Sequence, residues 1–240
     1  MTESFEHYNR APIVEAIIEI SIEPLDQTVV PKLEALGSSA GYPIKGAQLQ
    51  VSSHITVGLQ SSMAAAQMIS GFIFHNAERT YAFGARLNGF SLSRLPPYDR
   101  WEPFRDEAMR LWDLFRSAIG ACNVSGLGVR YINQVEIPAN EPIERFLATY
   151  PEVARGIPQG LNSYFMRVEV PWENPTATLI IQQGLLPPPS ANMAKILLDD
   201  DFRIQFAHGD DIWELLESAR TAKNEVFEAC IRDELRGRIR

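Results

Sequence analysis

The 240-residue chain is 45% hydrophobic and 22% charged, ordinary globular usage that argues against a disordered or fibrous protein and suffices for one large domain or two fused small ones. Thirty acidic against 22 basic side chains give a formal charge of −8, which disfavours a broad grip on nucleic acid because neutralising phosphates takes clustered Lys and Arg. No apolar run approaches the ~20 residues of a membrane span, and the polar stretch from Met1 to Arg10 does not read as a secretory signal, so the expected location is the cytoplasm with no membrane partner.

The first element is Pro12 to Glu23, where Val14, Ala16, Ile18, Ile20 and Ile22 alternate with Glu15, Glu19, Ser21 and Glu23, the period of a strand with one buried and one wet face. Pro24 and Asp26 break it, and Val29 to Leu36 reads as a short helix that Gly37 can end. Strand character follows in Gln48 to Leu59, Met68 to His75, Thr80 to Leu87 and Gly89 to Arg94, at hairpin spacing. After Pro96 and Pro97, Trp101, Phe104, Ala108, Leu111, Phe115 and Ile119 form an apolar helical stripe, with Asp99 as expected N-cap and Glu102 completing a capping box.

The second part of the chain repeats this order. Gly128 to Ile137 reads as a strand, Pro142 to Tyr150 as a short helix, and Leu161 to Val170 with Thr176 to Gln183 as a hairpin across Asn174 and Pro175. Lys195 to Phe206 gives one or two strands, and Asp211 to about Leu235 a long helix. Asp99-Arg-Trp101-Glu102 recurs as Asp211-Ile-Trp213-Glu214, an offset of 112 that also brings Phe90 onto Phe202, Phe115 onto Phe227 and Ile119 onto Ile231. We read this as an old duplication.

The expected fold class is therefore α+β. Two related strand-helix-meander-helix halves, 1–122 and 123–240, pack as one globular unit and form a curved, mainly antiparallel sheet with long helices on one face. The element order is similar to that of the TATA-binding-protein-like and helix-grip folds, an analogy of shape that carries no function.

Chemistry is sparse. Cys122 and Cys230 fall towards helix ends without CxxC spacing and read as free, packed thiols. Arg130 and Asn133 lie on opposite faces of one strand. Either they bind a ligand at the junction of the halves, or Arg130 pairs with Glu15 or Glu19 while Asn133 ties down a loop, the reading favoured by hydrogen-bond economy. Glu15, Glu19, Arg86, Arg130, Arg167, Glu169 and Arg203 fall at wet strand positions, a mixed-sign face suited to a polar peptide, a nucleotide or a short nucleic acid. Asp199-Asp200-Asp201 is the densest carboxylate run. In a strand the three alternate faces and cannot converge on one ion, so an exposed turn or strand end is expected, and no metal. Gly126-Leu-Gly128 lacks the rest of a dinucleotide fingerprint. His7, His54, His75 and His208 have no ligand spacing, and Pro187-Pro-Pro189 reads as a stiff spacer, so no cofactor is expected.

Three stretches stand out: Ala11-Pro-Ile-Val-Glu-Ala-Ile17, Gly89-Phe-Ser-Leu-Ser93 leading to Tyr98 and Trp101, and Leu127-Gly-Val-Arg-Tyr-Ile-Asn133. In them the sequence resembles a sporadically distributed family of bacterial proteins of similar length and no assigned activity. The resemblance implies kinship, and the patchy distribution implies a mobile accessory or defence-linked gene. The sequence favours a non-enzymatic binding or interaction module whose polar sheet face or inter-half cleft takes a protein, such as a toxin-like or effector enzyme, or a small polar ligand; a second copy of the chain is a further candidate partner. The alternative is an enzyme acting on a nucleotide or phosphoester, with Arg130, Arg86 and Glu15 lining the site.

Overall fold

The computed structural model describes residues 8–56, 62–154, 156 and 161–240, with side chains left undescribed at 51–56 and 62–66. The described elements are β1 (Ile13–Ile22), α1 (Val30–Ala40), β2 (Ile44–Thr56), β3 (Ser62–His75), β4 (Tyr81–Arg86), β5 (Gly89–Arg94), α2 (Trp101–Ile119), β6 (Val124–Pro138), β7 (Phe165–Trp172), β8 (Ala177–Leu186), β9 (Met193–Gln205), α3 (Ile212–Cys230) and α4 (Asp233–Ile239). The protein is thus α+β, its strands forming an antiparallel sheet in the hydrogen-bonded order β2-β3-β4-β5-β1-β6-β9-β8-β7. Among the described residues no helix is long and apolar enough to cross a membrane.

The chain divides into two compact units. Unit I comprises the described residues within Met1–Ile17, Pro96–Asp99 and Gly126–Arg240, and unit II comprises those within Ile18–Leu95 and Arg100–Ser125.

Unit II is organised by aromatic packing. The inward positions of its part of β1, Ile18, Ile20 and Ile22, are sealed, and so is the α2 stripe of Trp101, Phe104, Ala108, Leu111, Trp112 and Phe115. A run of rings links β3 to α2: Phe74 to Phe83 at 5.7 Å, Phe83 to Phe90 at 5.5 Å and Phe90 to Trp112 at 5.7 Å. Each fully buried ring contributes roughly 1.5–3 kcal/mol from apolar burial, so the stripe read from periodicity also anchors the helix.

Helix ends depart from expectation where tertiary contacts decide. α1 runs through Gly37 and stops at Gly41, which takes the left-handed conformation at φ 79°. α2 starts at Trp101 with Arg100 in the cap position and no side-chain cap bond, one residue later than the Asp99 expectation, whereas Asp211 does cap α3 by accepting from the amides of Trp213 and Glu214. The expected long final helix is two helices, because Ile231 turns extended and pairs with Leu147 in an isolated bridge. The expected helix over Pro142–Tyr150 is only a 3-10 turn at Ile143–Arg145, and Lys195–Phe206 belongs to the single strand β9. Residues 57–59 of the second expected strand lie outside the described residues, as does His7.

In unit I the hydrogen-bonded order is β6-β9-β8-β7. One face of this sheet is packed by Val135, Ile137, Ile196 and Leu198 against Phe146, Leu147, Ile231, Leu235 and Ile239. By strand alternation the opposite face carries Arg130, Ile132 and Gln134 of β6.

Gly37 offers a test of how closely α1 meets β3. Helix propensity alone favours Ala by about 0.8–1 kcal/mol, but a Cβ there would sit 2.3 Å from Cδ1 and 2.6 Å from Cε1 of the sealed Phe74 ring. Steric conflict should win: Gly37→Ala is expected to lower stability by about 1–3 kcal/mol in denaturant unfolding, and a stabilised variant would contradict the packing.

Candidate binding site

The register of unit I builds its open face row by row. Arg130 of β6 stands opposite Asp201 of β9, which stands opposite Ile180 of β8 and then Glu169 of β7. The next row is Ile132, Asp199, Gln182 and Arg167, and the row on the other side brings Gly128, Arg203 and Thr178 together. Acids and bases are therefore interspersed with uncharged side chains on this face.

Asp199 is the hub. Its side chain accepts from Arg130 Nε at 2.7 Å and Nη2 at 2.6 Å, a bidentate fork, and from Gln182 Nε2 at 3.0 Å. The carboxylate is almost wholly buried while the guanidinium keeps about a third of its surface. This bond holds the Arg130 pKa above its ordinary value, with Asp201 and Glu15 adding to the effect. Arg203 Nε donates to Asp201 at 2.8 Å. Burial pushes the Asp201 carboxyl up, against the pull of Arg203 and Arg130. Arg167 pairs with Glu169 of its own strand in a more exposed setting.

The acidic run was expected at an exposed turn or strand end; it lies instead inside β9, with Asp199, Asp200 and Asp201 only 3%, 2% and 5% exposed. Burying ionised carboxylates costs several kcal/mol each unless they are paired, and the alternation read from the sequence splits the run between the two faces of the sheet. Asp199 and Asp201 find arginines on the open face. Asp200 points the other way, towards Lys223 of α3, which is 6% exposed and shares an apolar stripe with Leu216, Ala219 and Val226.

The Lys223 ammonium lies 3.5 Å from the centroid of the Tyr131 ring, a cation–π contact in a dry setting. The Tyr131 hydroxyl is hydrogen-bonded to that of Tyr98 at 2.8 Å, and burial raises its pKa well above the usual phenol value. Desolvation pulls Lys223 down to about 7, opposed by Asp200. Desolvation likewise pushes Asp200 up to about 7, opposed by Lys223.

Of the residues singled out from the sequence, Glu15, Arg130, Arg167 and Arg203 belong to unit I, while Glu19 and Arg86 form their own ion pair at 2.6 Å in unit II. Arg130 of β6 is paired with Asp199 of the neighbouring β9 and not with the expected Glu15 or Glu19 of β1, and Glu19 pairs instead with Arg86. Asn133 sits on the packed face at 2% exposure, its amide donating to the Leu198 carbonyl at 3.4 Å. Sequence reasoning missed Gln182, Lys223 and Tyr131, and the partners of the acidic run. The available signals were the apolar flanks Ile196, Leu198, Phe202 and Ile204 around the acids, and a lysine at core spacing in α3. Both cysteines are free, Cys230 buried and Cys122 half-buried. No protein-family model matches the chain, and no curated protein is significantly similar to it.

Two measurements follow from the paired acids. Asp199→Asn removes the charge that holds Arg130 and should cost about 1–3 kcal/mol in urea unfolding; Asp201→Asn should cost less, because its partner Arg203 is 57% exposed. The reverse ranking would contradict the assignment of Asp199 as hub.

The second measurement is pH-dependent. Between 3.8 and about 7 the folded chain retains a proton on Asp200 that the unfolded chain releases, so that group's contribution falls as pH rises towards 7. Between 10.5 and about 7 the unfolded chain protonates Lys223 more readily than the folded one, so its contribution falls as pH drops towards 7. Stability measured against the Asp200→Asn/Lys223→Met double variant should be lowest near pH 7 and recover by about 1–2 kcal/mol towards pH 5 and pH 9; a difference independent of pH would refute the burial of both charges.

Proposed function

We propose that the chain is a non-enzymatic binding module whose open sheet face in unit I, centred on Arg130, engages a protein partner through a polar segment carrying both charge signs. The observation that carries this reading is the Asp199 clamp. A buried carboxylate binds Nε and Nη2 of Arg130 and one hydrogen of the Gln182 amide, so the Arg130 Nη1 donors and the Gln182 carbonyl oxygen remain as an adjacent donor and acceptor. Polypeptide backbone and side-chain amides offer the complementary pair. A phosphate ligand is disfavoured, since Arg130, Arg167 and Arg203 each already face a carboxylate, at Asp199, Glu169 and Asp201.

The finer architecture belongs to the same proposal. Trp101 and Trp213 both fall in the first turn of 19-residue helices, and Phe90 and Phe202, both sealed, sit in the strand before each helix. The first strand of each proposed half is hydrogen-bonded to the last strand of its meander, β1 to β5 and β6 to β9. These parallels speak for an old duplication and for kinship with the TATA-binding-protein-like or helix-grip class. With the resemblance to a sporadically distributed bacterial family, they make an accessory of a defence or toxin-type system the favoured setting.

The test begins with a photo-crosslinking amino acid at Thr178, beside this face. A partner so identified is then purified and titrated. Arg130→Ala should weaken the complex by about 2 kcal/mol or more, whereas Arg116→Ala on α2 should leave it unchanged. Equal affinities for Arg130→Ala and the parent chain would end the proposal. So would turnover in a nucleotidase and phosphodiesterase panel that Glu15→Gln abolishes.

A further inference from the structure

Beside α4 in unit I lies a cavity of about 480 Å³ whose wall includes Ile13, Val135, Leu235 and Ile239 and whose charged lining is Arg10, Lys195 and Arg238 against one carboxylate, Glu136. In a chain with a formal charge of −8, three cations around one depression are conspicuous, because most arginines elsewhere are matched to carboxylates. Among the described residues Arg10, Lys195 and Arg238 form no ion pair. Lys195 stands directly opposite Glu136 in the β6–β9 register, yet no ion pair joins them among the described residues.

Two contacts border the site. The Arg238 guanidinium lies 5.3 Å from the centroid of the Phe146 ring, a cation–π contact. The Arg10 amide donates to the Ile239 carbonyl at 3.0 Å, closing the segment before β1 against the end of α4. A cation in the last turn of a helix complements the helix dipole, which accounts for Arg238 but not for Lys195 on β9 or for Arg10. Like charges gathered at a low-dielectric wall create a positive potential that an anion relieves.

We propose that this cavity is a binding site for a small amphipathic anion, with a carboxylate or phosphate head held by Arg10, Lys195 and Arg238 and an apolar body lying against Ile13, Val135, Leu235 and Ile239. The volume falls in the range of roughly 300–1,000 Å³ typical of small-molecule sites. The inference is independent of the Arg130 face, and it stands if no protein partner binds there.

The test titrates the full chain with octanoate, octyl phosphate and 1-octanol, followed by calorimetry and by chemical shifts of the cavity residues. Octanoate or octyl phosphate should bind one-to-one, at least tenfold tighter than octanol; whichever binds tighter names the head. Lys195→Gln and Arg238→Gln should each weaken the anion about tenfold and leave octanol unchanged. Arg238→Gln can loosen α4, so Lys195→Gln on β9 is the decisive variant, checked for folding by its melting temperature. Equal affinity for octanol and both anions, failure of both anions to bind at millimolar concentration, or an anion affinity unchanged in folded Lys195→Gln would each overturn the proposal.

Discussion

Three consecutive carboxylates run through the interior of β9, and much of the polar structure of unit I answers the cost of putting them there. A strand sends alternate side chains to opposite faces, so Asp199 and Asp201 demand cations on one side and Asp200 demands one on the other. Arg130 and Arg203 pair with the first two, and Lys223 of α3 acts on Asp200 through its charge alone. The same alternation rules out a single metal ion held by all three, so the run organises side chains across three elements.

The two units solve the burial problem differently. Unit II fills its interior with rings and aliphatic side chains, with Phe74, Phe83, Phe90, Phe104 and Phe115 sealed from water, and gains from surface area and dispersion. Unit I places a lysine, an aspartate and a tyrosine hydroxyl beneath α3. Desolvation disfavours the charged forms of Asp200 and Lys223 there, so these polar groups carry a cost that the aromatic interior of unit II does not.

Much of the fold was legible because its signals are local. The period-two run of β1 and the helical stripe of α2 carry their burial pattern in adjacent residues, and Asp211 announces the start of α3 in the same way. What escaped reading was decided at long range. Gly37 and Gly41 are equally able to end a helix by composition, and it is the approach of Phe74 to Gly37 that gives each glycine its place. The acidic run looked like surface because its partners lie far along the chain, at Arg130 and Lys223, with no spacing rule linking them. For the candidate site, Arg130 was visible as an arginine on a wet strand face, but Asp199 and Gln182, which determine what it can offer, were not.

The fork between Arg130 and Asp199 also bears on the entropy of association. A free arginine on a protein surface samples many rotamers, and ordering it on contact with another molecule costs up to about 2 kcal/mol. Here that loss is incurred during folding, since a sealed carboxylate already restricts the side chain. A molecule docking on this face would meet donors that are already immobile, and the free energy otherwise consumed in freezing them would remain in the affinity.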